Sequence, residues 1–72
     1  MTAKEMDNIV KEMRNHGAKI DTRTDLENYV YRLKTGLEVI GRSNLVNELN
    51  NLYNEMENVD TNELVRIGTF KN

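Results

Sequence analysis

His16 is the lone histidine of the chain, and there is no cysteine. Without a second nitrogen or sulfur ligand the usual zinc sets cannot be assembled, so no metal site is expected. A hydroxyl nucleophile needs a base within hydrogen-bond reach, and His16 has no such partner at a recognisable spacing. The hydroxyls themselves, on Thr2, Thr22, Thr24, Thr35, Ser43, Thr61 and Thr69, mostly fall where helix caps and connectors would place them. Glu55 and Glu57 stand two positions apart. On a helix they project from different sides, a poor arrangement for shared acid–base work. No glycine-rich phosphate loop and no EF-hand loop occurs. The expectation is a protein that is not an enzyme and uses no cofactor.

Two other groups of residues suit recognition better than catalysis. Asn47, Asn51, Asn54 and Asn58 recur at spacings of four, three and four, which makes one row along a helix. Asn is a poor helix former, so propensity does not explain the row. It is either a solvated face or a hydrogen-bonding surface for a partner. In "LENYVYRLK", Tyr29 and Tyr31 lie two apart, about 200° around a helix, so only one of them can face a core. One reading packs Tyr31 against the first helix and leaves Tyr29 at the edge of the seam. The other turns Tyr31 outward beside Arg32, a composition enriched in binding hot spots.

The composition narrows the class of protein that carries these residues. Seventy-two residues suit one small helical domain, 1–72, in which only about 60% of the unfolded surface is buried. No apolar run approaches the ~20 residues of a membrane span, and the polar start "MTAKEMDN" does not read as a signal peptide. No membrane association and a cytoplasmic location are expected. The net charge of −2 is uneven: residues 1–42 hold eight Lys/Arg against seven Asp/Glu, and residues 43–72 hold two against five. No cation cluster able to displace the counterions of nucleic acid appears.

The elements follow from punctuation by glycine and cap residues, with no proline anywhere. "TAKE" predicts a first helix capped by Thr2, with Glu5 completing a capping box. Met6, Ile9, Val10 and Met13 form its apolar face, and Gly17 suits the left-handed position past its end. His16, in the last turn, suits the negative end of the helix dipole. Ile20 is expected as a hydrophobic staple. The second helix begins at Asp21 or at Thr24, where "TDLE" offers another capping box, and its stripe is Leu26, Val30, Leu33, Leu37 and Ile40. Gly36 falls inside it at a cost of about 1 kcal/mol against Ala. After Gly41, Ser43 is expected to cap a third helix with the stripe Leu45, Leu49, Leu52, Met56 and Val59. "DTNE" at 60–63 opens a short fourth segment, and Phe70 beyond Gly68 either folds back as a plug or frays. The class expected is all-α: a small bundle of three main helices plus a short C-terminal segment, with helices two and three as an antiparallel hairpin.

"LENYVYRLK" also resembles the lid region of Hsp70 chaperones, where a leucine–glutamate pair leads into spaced aromatics and then a basic residue. Upstream, "TAKEMDNIVKEM" is similar to the first lid helix of that family, in the same order. The two matches cover about twenty residues. The resemblance implies a helical cover over a peptide site, a second helix running on through Gly41, and no catalytic residues to carry across.

The reading that follows is a small helical protein acting through another protein, as a regulator or inhibitor, with Tyr31, Arg32 and the four Asn residues as contacts. The heptad-like seams also allow a homodimer. An alternative treats helices two and three as a helix-turn-helix, since Asn pairs well with adenine. The third helix, however, carries Glu48, Glu55 and Glu57 and no Lys or Arg, and phosphates would repel it. The remaining alternative is an isolated lid-like fragment.

Overall fold

The chain threads four helices in order: α1 (Ala3–Asn15), α2 (Arg23–Val39), α3 (Ser43–Met56) and α4 (Thr61–Arg66). The computed structural model describes residues 1–71, so Asn72, the last residue of the expected domain, lies outside the described residues. No strand occurs among them, and none of their helices is long and apolar enough to cross a membrane. The fold is an all-α bundle in which α2 and α3 pack against each other as the expected hairpin.

The caps show why the helices start where they do. Thr2 Oγ1 accepts from the Glu5 N–H at 3.2 Å, and Glu5 Oε1 accepts in return from the Thr2 N–H at 3.2 Å. This is the expected box, and the Thr2 backbone N–H holds the Glu5 carboxyl below its ordinary range. The second box lies elsewhere than at Thr24. Thr22 is the cap, accepting from the Asp25 N–H at 3.2 Å, while Asp25 Oδ2 accepts from the N–H groups of Asp21 and Thr22. Those N–H groups, Asp21 first, depress the Asp25 carboxyl. Starting α2 two residues earlier makes Arg23 its first residue, and Arg23 has work elsewhere in the fold. Ser43 is also not a cap: it is the first residue of α3, and Arg42 before it makes no side-chain cap bond.

The ends are shaped by glycine. Gly41 has φ +76°, a conformation that costs a residue with a Cβ dearly. It lets the Gly41 N–H reach the Glu38 carbonyl at 3.1 Å and the Arg42 N–H reach the Leu37 carbonyl at 2.9 Å. This pair of bonds is a Schellman motif, and equivalent pairs close α1 at Gly17–Ala18 and α4 at Gly68–Thr69. Hence α2 stops at Val39 and the chain reverses. The end of α3 has no glycine and no basic residue in its last turn. Arg23 supplies the cap instead, donating to the carbonyl of Met56 and, at 2.9 Å, to that of Val59.

The core gathers at one end of the hairpin. Met6 and Val10 of α1, Ile20 of the connector, Leu26 and Val30 of α2, Met56 and Val59 at the close of α3, Leu64 of α4, and Phe70 are all buried. Phe70 therefore folds back as a plug. Arg14 ties this closure together: its guanidinium donates to the Ile20 carbonyl at 2.6 Å and also to the Thr69 carbonyl. The molecule is elongated, 38 × 23 × 17 Å, because the hairpin runs on beyond that core.

Candidate functional site

Two surfaces are left over once the core has formed, and both come from apolar stripes wider or longer than their cover. On α1, Met6 and Val10 point into the core while Ile9 and Met13 stand on its shoulder, half-buried. On α2, Val30 is fully buried, and Tyr29 and Leu33 lie about 100° and 60° to one side of it. These two shoulders face each other. They enclose an open groove of about 500 Å³ whose walls are almost wholly apolar, formed by Ile9, Met13, Tyr29 and Leu33. Asn8, Glu12 and His16 supply its polar edge.

The second surface is the tip of the hairpin. At the core end, α1 and α4 cover the α2–α3 seam; toward Gly41 no third helix reaches it. The consequence is legible residue by residue along the two stripes. Leu26, Val30, Met56 and Val59 are buried, Leu37, Leu49 and Leu52 are half-buried, and Leu33, Ile40 and Leu45 are 38%, 66% and 42% exposed.

The tyrosine pair resolves against the packing of Tyr31 on the first helix. Tyr29 is the residue that turns toward α1 and packs on the core, whereas Tyr31 is 62% exposed. With Thr22 as cap, α2 buries the Leu26–Val30 line, which places Tyr29 on the α1 side and Tyr31 on the other. Arg32 is exposed in a shallow depression with Lys19, Asp25 and Tyr29, so successive residues Tyr31 and Arg32 lie on different faces. Asn47, Asn51 and Asn54 form an exposed row on α3, opposite its apolar stripe, and Asn58 follows in the turn after the helix. None of these four side chains makes a hydrogen bond among the described residues.

The structure thus does not gather the six residues into one cluster, and the groove lay outside the sequence reading. Its signal was present in the pairs Ile9–Met13 and Tyr29–Leu33, both at i, i+4, which widen their stripes beyond what one neighbour needs. His16 is exposed at the groove edge, and no group of three His, Asp or Glu residues able to hold a metal occurs among the described residues.

Comparison with family models, with curated proteins and with solved structures matches this chain to none of them.

Proposed function

We propose that this chain is a non-enzymatic binding protein that regulates or inhibits another protein by holding an amphipathic helix of it in the α1–α2 groove. The observation that carries this reading is the groove itself, apolar on its walls and polar at its edge. A helix laid in such a groove engages it through residues at i, i+3 or i+4, and i+7. Tyr29 supplies the rigid aromatic surface that binding hot spots favour. Asn8, Glu12 and His16 at the edge offer hydrogen bonds that orient the helix. Tyr31, Arg32, Asn47, Asn51, Asn54 and Asn58 lie outside the groove and serve as additional contacts for a partner large enough to wrap around the bundle.

The test is site-specific photo-crosslinking. A photoreactive phenylalanine analogue is placed at Met13 and, separately, at Asn51, and the chain is expressed in its own host. A single crosslinked protein from position 13, abolished by Ile9→Glu with helicity unchanged, supports the reading. Crosslinks from position 51 alone would move the contact to the Asn row of α3.

A further inference from the structure

Tyr29 borders two hollows at once. On one side it is a wall of the α1–α2 groove; on the other it lines the depression of about 340 Å³ that Gly17, Ala18, Lys19, Asp25 and Arg32 complete. The two hollows adjoin again where His16 lines the groove and Gly17, the next residue, lines the depression. On α2, Leu33 stands about 40° to one side of Tyr29 and Arg32 about 60° to the other. The apolar surface therefore gives way to a charged one across a single ring.

The depression holds two cations to one anion, and the anion is already engaged. Asp25 Oδ2 accepts from the N–H groups of Asp21 and Thr22 in the cap of α2. Lys19 and Arg32 are exposed, and neither takes part in an ion pair among the described residues, where the pairs are Lys11–Asp7, Arg23–Glu27, Arg66–Glu63 and Lys71–Asp21. Glu12, on the α1 edge of the groove, is exposed and unpaired among the same residues. The groove is thus bordered by an anion on its α1 side and by two cations beyond its α2 side.

We infer, in a step that rests on the groove reading above, that the helix held there is acidic on one flank. Its apolar stripe lies on Ile9, Met13, Tyr29 and Leu33, and Asp or Glu residues on the flank nearer α2 extend past Tyr29 to Lys19 and Arg32. Charge on one flank also fixes the direction of the bound helix. Turned end for end, it would bring its carboxylates to Glu12 and away from both cations. The apolar stripe supplies most of the affinity, while the flanking charges select the partner and speed the encounter.

Two synthetic helical peptides of about eighteen residues, titrated into the full chain, test the inference. Both carry the same leucine stripe and lysines on the opposite face; one flank of the stripe is Glu in the first peptide and Gln in the second. Binding is read by fluorescence anisotropy of the labelled peptide and by amide shifts of the chain. The Glu peptide is expected to bind about five- to tenfold tighter at low salt, with the difference closing as salt is raised. Lys19→Glu together with Arg32→Glu, both at exposed positions, leaves circular dichroism unchanged and makes the Glu peptide the weaker binder. Equal binding of the two peptides, both lost with Ile9→Glu, overturns the acidic partner and leaves the groove reading standing. A Glu preference that survives the charge reversal at positions 19 and 32 also overturns it. Unmoved amides at both Met13 and Tyr29 with either peptide, up to about 1 mM, overturn the groove reading with it.

Discussion

The hydroxyl of Thr69 donates to the carboxylate of Asp7 at 2.6 Å, joining residues 62 positions apart. Both residues are buried, and Lys11 pairs with the other carboxylate oxygen at 2.8 Å. This contact fastens the C-terminal segment to α1 and holds Phe70 in the core. Thr69→Val keeps the shape and removes the donor, so a loss of about 1–3 kcal/mol is expected from urea denaturation.

The same contact sets a pH dependence. The Lys11 ammonium and then the Thr69 hydroxyl hold the Asp7 carboxyl below its ordinary value of 3.8. Glu5 is likewise depressed from 4.5 by its cap bonds. The unfolded chain therefore binds protons more readily than the folded one, and stability rises with pH. The contribution is complete above those ordinary values and drains away as pH falls through them toward the depressed folded values. Urea midpoints measured between about pH 6 and pH 2 should show this decline. Asp7→Asn should be less stable than wild type at neutral pH and converge on it in acid.

Arg23 closes the end of α3 from the start of α2. Arg23→Met keeps the buried stem but leaves the carbonyls of Met56 and Val59 without their donor. A loss of roughly 2–3 kcal/mol is expected, with faster amide exchange in the last turn of α3. The exposed Arg32→Met should stay within about 0.5 kcal/mol of wild type.

Thr22 and Thr24 separate under one substitution. Thr22→Ala removes the acceptor for the Asp25 N–H and should cost about 1 kcal/mol. Thr24 is exposed on the first turn and makes no cap bond, so Thr24→Ala should be nearly neutral. Equal effects would place the helix start elsewhere.

Gly36 and Gly41 should respond to alanine with opposite signs. Gly36→Ala adds a Cβ in open space within a helix and should stabilise the monomer by about 1 kcal/mol. Gly41→Ala forces a Cβ onto a φ of +76° and should cost about 1–2 kcal/mol. Thermal unfolding at low micromolar concentration reads both.

The sequence by itself determined the four helices, the start of α1 and the glycine-marked ends of α1, α2 and α4. Their signals are local: the Thr2–Glu5 box, the glycines after α1, α2 and α4, and apolar residues at spacings of three and four all act within one or two turns. It misplaced the second cap because Thr22 and Thr24 both stand three residues before an acidic side chain. The choice between them rests on Arg23 reaching the distant end of α3. Only the tertiary structure decided which half of each stripe is covered. Leu26 and Leu33 are the same residue type on the same helix face, yet one is 2% and the other 38% exposed. The cover comes from α1, α4 and Phe70, which gather on Leu26, Val30, Met56 and Val59 at one end of the hairpin. The same packing turned Tyr29 inward and Tyr31 outward, opened the groove and left the tip bare. Periodicity marks a residue as able to be buried, but burial itself depends on a neighbour far away in sequence.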